Sequence, residues 1–276
     1  MNPQEVLKGI EAFADASVVD ELPGGPASDS YLVKRGTQRF VLRLDSTVAA
    51  ALGLDRRVEA EILEYISRNG LGPRPEFAAP DRGILITRYI EGRAWSAADL
   101  HDAGKIHNLA MLLRRLHTLQ PVGQPFNLRD RVASYARIID TAEGRELADD
   151  TQRQLRELET RPSTCCLCHN DLISANIVEG RTLVLIDWEY AAIGNPMFDL
   201  ATIAEHHHFN LDKADALISA YFGSLREEDV RRLSRYRSFY RRLLVLWLAS
   251  VEQLCEIGAE QQIQLQQAWQ RLNDTV

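Results

Sequence analysis

No apolar run in this chain approaches the roughly 18 residues that a membrane-spanning helix needs, so no membrane insertion is expected. The segment Met1 to Asp20 lacks the basic start and apolar stretch of a signal peptide and carries Glu5, Glu11, Asp15 and Asp20 instead; the expected location is the cytoplasm. Paired C-x-x-C spacing is also missing. The cysteines are Cys165, Cys166, Cys168 and Cys255, and three of them directly precede His169. Cys-Cys-x-Cys-His does not bring two thiolates onto one ion, so these read as reduced thiols of an apolar strand. Net positive charge is lacking too. The formal balance is −7, which repels polyanions and removes nucleic acid from the expected partners. Internal repeats, low-complexity tracts and long linkers are absent, and nothing points to an obligate protein partner.

What is present is an ordinary globular composition, 45% hydrophobic and 26% charged over 276 residues, enough for two lobes with a sizeable core. Residues 1–88 read as a small sheet-rich lobe. Strands are expected at Val18 to Leu22, Ser30 to Lys34, Arg39 to Leu44 and Gly83 to Tyr89, with turns at Pro23-Gly24-Gly25-Pro26 and Arg35-Gly36-Thr37. A helix is expected over Val58 to Ser67, broken by Gly70, Gly72, Pro73 and Pro75. Residues 89–276 read as mostly helical, with apolar spacing at Ile106, Leu109, Leu113 and Leu116, a helix around Thr151 to Glu159 and a β-rich island from Cys165 to Asp187.

Two runs need a physical reading. Arginines 231, 232, 235, 237, 241 and 242 alternate with Leu233, Tyr236, Tyr240 and Leu244 at helical spacing, which predicts the solvated face of an amphipathic helix. His206-His207-His208 cannot share one metal, because consecutive helical residues point in different directions. It reads as a helix end with room for one functional member.

The stretch that carries chemistry is His169-Asn170-Asp171-Leu172-Ile173-Ser174-Ala175-Asn176, followed by Ile186-Asp187-Trp188-Glu189-Tyr190. Phosphoryl transfer needs a carboxylate beside the attacking hydroxyl and oxygen ligands for Mg²⁺ on the ATP phosphates. Asp171 suits the base. Asn176 offers a side-chain carbonyl to the metal, and Asp187, at the end of the apolar strand Leu183 to Ile186, offers a carboxylate.

These spacings resemble the protein-kinase pattern H-R-D-x-x-x-x-N followed by D-F-G. Here Asn170 stands in the arginine place and Asp187-Trp188-Glu189 in the D-F-G place, with no activation segment running to A-P-E. The chain is therefore similar to the small-molecule kinases that include aminoglycoside phosphotransferases, choline/ethanolamine kinases and thiamine kinase. The resemblance implies an α+β, bilobal protein-kinase-like fold, with an antiparallel-sheet lobe that binds nucleotide and a mostly helical lobe that binds the acceptor and does the catalysis. It implies ATP as co-substrate and Mg²⁺ as cofactor. By the same resemblance, Gly24, Gly25 and Ser28 belong to a phosphate-covering loop. Arg43 takes the place of the phosphate-gripping lysine, with Glu59 as its partner and Glu61 as the competitor. Thr87 and Tyr89 lie in an adenine-holding hinge. Asp199 braces the catalytic loop through its backbone, and His169 belongs to that support.

For the acceptor, choline or ethanolamine ranks first, thiamine second, and sugars or aminoglycosides third. A quaternary ammonium cannot donate hydrogen bonds and needs aromatic faces and an acid. Tyr190, Glu205 and Trp247, with Tyr240, are available for such a cage. A catalytically inactive nucleotide-binding protein is the reading from a different class.

Overall fold

The computed structural model of the protein describes residues 1–159 and 165–273, and the chain divides into two compact units. The first comprises Met1–Arg93 together with Val178–Glu189. After helix α1 (Pro3–Lys8), its centre is an antiparallel sheet ordered β1-β2-β3-β5-β4. The strands are β1 (Ser17–Leu22), β2 (Ser28–Arg35), β3 (Gln38–Asp45), β4 (Pro75–Ala79) and β5 (Ile84–Arg88). β2 and β3 pair from Ser28↔Asp45 to Arg35↔Gln38, and Gly36 supplies the positive φ of 57° that closes the hairpin. Strand periodicity then sorts β3. Phe40, Leu42 and Leu44 enter a core with Leu7, Phe13, Val33 and Ile86, while Val41, Arg43 and Asp45 point to the other face. Two helices follow β3, α2 (Thr47–Ala51) and α3 (Arg56–Arg68); Asp55 caps α3 by accepting from the amides of Arg57 and Val58.

Strand β4 is absent from the sequence reading, where the Gly and Pro cluster at 70–75 marks only a break. It is the outer strand of the sheet, and Pro75 is its first residue, the two places where a strand tolerates a missing N–H. The first unit also takes in Val178–Glu189, because the Leu185 amide donates to the Leu71 carbonyl at 3.0 Å and Trp188 packs beside Gly72. A Cβ on Gly72 would lie 1.7 Å from Ile66 Cδ1 and 3.0 Å from Trp188 Nε1, so a side chain there would force Ile66 to shift. Here β6 (Arg93–Ala94), β8 (Ile177–Glu179) and β9 (Leu183–Leu185) form a three-stranded sheet.

The second unit runs from Ala94 to Ile177 and resumes at Tyr190. It holds α4 (Ala103–His117), α5 (Leu128–Ile139), α6 (Ala142–Glu159), α7 (Pro196–His206), α8 (Leu211–Phe222), α9 (Glu227–Leu254) and α10 (Ala259–Asn273), with β7 (Cys166–Cys168) paired to β10 (Ala192–Gly194). Ile106, Leu109, Leu113 and Leu116 are all buried along α4. Among the described residues, no helix is long and apolar enough to cross a membrane.

Candidate active site

Strand β7 delivers the chain into the loop His169–Asn176, and buried Leu172 anchors that loop in the core. Asp199, fully buried in the first turn of α7, accepts from the backbone amides of His169 at 2.9 Å and Asn170 at 2.7 Å. Its Oδ2 also meets His117 Nε2 at 3.0 Å, and His117 Nδ1 meets the Tyr221 hydroxyl at 2.7 Å. Asn170 adopts φ 65° and turns the loop, so that Asp171 stands half-buried beside Asn176. The Asn176 amide nitrogen donates to the Asp171 carbonyl at 2.9 Å and to Asp171 Oδ2 at 3.1 Å. With its nitrogen so committed, the Asn176 carbonyl oxygen is the atom the side chain offers elsewhere.

Two buried thiols, Cys166 and Cys168, lie 3.7 Å apart, and with His117 they form a group whose ligand atoms fall within 4.8 Å of one another. Both imidazole nitrogens are already hydrogen bonded, so an ion would have to break the Asp199 or Tyr221 contact. Burial, followed by the hydrogen bond to Cys166, pushes the Cys168 thiol well up, as expected of a reduced, inert cysteine.

Three proposed acceptor-side residues fall into two groups. Tyr190 and Trp247 belong together: the Trp247 indole N–H donates to the Tyr190 hydroxyl at 2.9 Å, and the Tyr190 carbonyl accepts from Asn170 Nδ2 at 2.9 Å. The Arg131 guanidinium lies 5.5 Å from the centre of the Tyr190 ring, so that ring already faces a cation. Glu205 is held apart by a fork. Arg237 Nε reaches its Oε2 at 3.0 Å and Arg241 Nε its Oε1 at 2.7 Å. These two arginines, four apart on α9, correct the solvated-face reading of the run. Arg231 and Arg235 are exposed, but Arg237 and Arg241 keep side-chain exposures of only 19% and 18%.

Burial would raise the Glu205 pKa, but Arg241 and then Arg237 outweigh it and hold the carboxyl below its usual range. A depressed folded pKa stabilises the protein above the unfolded carboxylate pKa, and that contribution is lost as pH falls through the folded value. Glu205→Gln should therefore be less stable than the parent by about 2 kcal/mol at pH 7, and the gap should close below roughly pH 4. Thermal unfolding of both proteins at the two pH values checks this; a gap that ignores pH would remove the charge from the explanation.

In the first unit, the guanidinium of Arg43 leaves the non-core face of β3 and forms a two-pronged pair with Glu59 of α3, with Nη1 to Oε1 at 2.6 Å. Glu61 is exposed. Arg56, which the sequence reading gave no role, ties this pair into a network: its Nη1 lies 2.9 Å from both Glu59 Oε2 and Glu189 Oε2, and its Nε donates to Asp45 at 3.0 Å. Asp187 Oδ1 lies 3.6 Å from Arg43 Nη1, and its side chain keeps 39% exposure. Burial alone would lower the Arg43 pKa. Glu59, then Asp187 and Glu189, more than reverse this and hold the guanidinium firmly charged. Burial, then Asp187, raises Glu189 to about 7 against the pull of Arg43 and Arg56. The buried Nε of Arg43 has no partner among the described residues.

The remaining predicted residues of this unit lie around the same sheet. Gly24 and Gly25 sit in the β1–β2 turn, and a Cβ on Gly24 would come within 3.0 Å of the Ser28 carbonyl. Ser28 is buried at the start of β2. Thr87 is buried in β5, and the Tyr89 amide donates to the Arg39 carbonyl at 3.1 Å while Arg39 stacks on the Tyr89 ring.

The second unit thus holds an aspartate with an asparagine tied to it, and the first a strand arginine paired to a helix glutamate. Residues 18–243 match the phosphotransferase enzyme family, and the chain belongs to that family; its class is that of the small-molecule kinases. Protein LicA of Haemophilus influenzae is 28% identical over 212 residues, covering 72% of this chain and 61% of the relative, so the match spans a little under two thirds of that protein. A thiamine kinase of Salmonella paratyphi B is 30% identical over 197 residues, covering 70% of this chain and 69% of the relative. Choline kinase LicA from Streptococcus pneumoniae superposes with a TM-score of 0.83 at 20% identity, over 99% of this chain and 100% of that one, and so shares the fold.

Proposed function

We propose that the protein transfers the γ-phosphate of ATP to the hydroxyl of a small cationic alcohol, with choline or ethanolamine as the first choice. The observation that carries this reading is the braced loop in which Asp171 and Asn176 are tied side chain to side chain. In this reading Asp171 accepts the proton of the acceptor hydroxyl. The freed oxygen forms the new bond to the γ-phosphorus, and ADP departs with the electron pair of the bond that breaks. Asn176, through its carbonyl oxygen, and Asp187, through its partly exposed carboxylate, would hold Mg²⁺, which supplies charge neutralisation on the phosphates. Arg43 suits a phosphate contact because its buried Nε lacks a partner among the described residues and its charge is secured by Glu59. The turn at Gly24, Gly25 and Ser28 would cover the phosphates, and Thr87 and Tyr89 would flank the adenine.

The cationic acceptor is supported by Tyr190, whose ring already takes Arg131, and by Trp247 bonded to it. The structural neighbour is a choline kinase and the relative a thiamine kinase, which makes choline and thiamine the leading acceptors. Glu205 is assigned a positioning role here, since both of its oxygens carry an arginine.

The test is ADP release from Mg·ATP with choline, ethanolamine, thiamine, several sugars and an aminoglycoside. Choline or ethanolamine should exceed the others, and Tyr190→Leu should raise the acceptor KM about tenfold while leaving the ATP KM unchanged. Turnover of a sugar with choline silent would overturn the acceptor assignment. Binding of Mg·ATP with no turnover on any acceptor would favour the inactive nucleotide-binding protein.

A further inference from the structure

The three consecutive histidines at the end of α7 do three different things. His206 Nδ1 faces the Tyr240 hydroxyl at 3.4 Å, and His208 Nδ1 lies 3.0 Å from the Glu205 carbonyl. The middle one reaches the catalytic loop: the Ser174 amide donates to His207 Nε2 at 3.0 Å. We propose that His207 is a positioning residue for the proposed phosphotransfer, an external cap on the turn that presents Asn176. The inference rests on the kinase reading above for the role of Asn176, but the cap itself does not.

Four observations converge on it. Ser174–Asn176 is a single 3₁₀ turn whose preceding residue, Ile173, provides no side-chain acceptor. The first amide of such a turn has no partner within the turn, so an acceptor must come from elsewhere. His207 is well placed to be that acceptor. It closes α7, and its own amide is bonded back to the Ile203 and Glu205 carbonyls, so its backbone is fixed to the helix. Eight residues earlier on the same helix, Asp199 accepts from His169 and Asn170 at the other end of the loop. At 1.5 Å per residue, the two holds are spaced about 12 Å apart by one rigid helix. Between them, Asn176 is tied to Asp171. The helix therefore works as a ruler for the loop, and without its far end Asn176 would be held only by bonds made within the loop itself, to Asp171 and to the Ile173 carbonyl.

The imidazole must be neutral to accept. Burial, then His206 and His208, lower its pKa to about 3, which leaves one lone pair on the ring and one proton; the bond from Ser174 assigns the lone pair to Nε2. Neighbouring His206 is held down to about 4 by burial and then His208.

The test compares His207→Leu, which cannot accept, with His207→Gln, whose carbonyl oxygen can. Amide exchange at Ser174, read on protein without nucleotide, should quicken about tenfold in His207→Leu and stay within about twofold of the parent in His207→Gln. The Mg²⁺ concentration for half-maximal ADP release should rise about tenfold in the leucine variant and return in the glutamine variant. Should leucine prevent folding, His207→Ala is read in the same way. Unchanged Ser174 exchange in a folded leucine or alanine variant would overturn the cap. Faster exchange with an unmoved Mg²⁺ requirement would overturn the positioning role. Because exchange needs no turnover, a parent protein silent in ADP release would sink the kinase reading while leaving the cap in place.

Discussion

Replacing Asp171 with asparagine is expected to lower kcat by about 10³-fold while the affinity for Mg·ATP stays within about twofold of the parent. The two side chains have the same shape, and Asp171 Oδ2 is already used as an acceptor from Asn176. The substitution keeps an oxygen for that bond and removes the carboxylate that would take the acceptor proton. Nucleotide contacts in this reading come from Arg43 and the β1–β2 turn, which the change does not touch. Single-turnover ADP formation and equilibrium nucleotide binding separate the two quantities. Loss of binding together with turnover would make Asp171 a structural residue, and retention of both would move the base elsewhere.

The second large effect is expected at Asp199. Its carboxylate is fully buried and answers three donors at once: the backbone amides of His169 and Asn170, and His117. Asp199→Ala leaves all three unmet inside the protein, where each unmet group costs about 1–3 kcal/mol. We expect a loss of about 4 kcal/mol in stability and a fall in Tm of roughly 10 °C. Turnover should fall as well, because the loop carrying Asp171 loses its upper hold. Asp199→Asn, which retains one acceptor oxygen, should be intermediate in both. Thermal unfolding and ADP release on the same preparations check the pair. A drop below about 1 kcal/mol would mean that water fills the vacated place.

The parts of this arrangement that were legible in the chain are local. Asp171 and Asn176 fall within one short stretch, so spacing brings them into one frame, while Arg43 and Glu59 were paired through the resemblance, with Glu61 left as the competitor. The strands of the first unit were legible because alternation and turn residues agree in Ser30 to Leu44. What escaped notice was set by tertiary partners. Arg56 meets Glu189 across 133 residues, and nothing near either one announces the other. Arg237 and Arg241 resembled their exposed neighbours until Glu205, more than thirty residues away, was seen between them. His117 gave no local sign of its contact with Asp199, 82 residues further on. Strand β4 was hidden by Pro75, which reads as a breaker unless the strand is known to lie at a sheet edge.

Asp187 adopts φ 62°, as Asn170 does at 65°, in the left-handed region that glycine occupies without penalty. For an aspartate this conformation costs on the order of 1 kcal/mol. A population of variants selected only for survival at high temperature would thus drift toward glycine at 187, gaining robustness and discarding the carboxylate. Anyone breeding a heat-tolerant form of this protein should screen for turnover in every round, because in the proposed reading the carboxylate at 187 is one of the groups that would hold Mg²⁺.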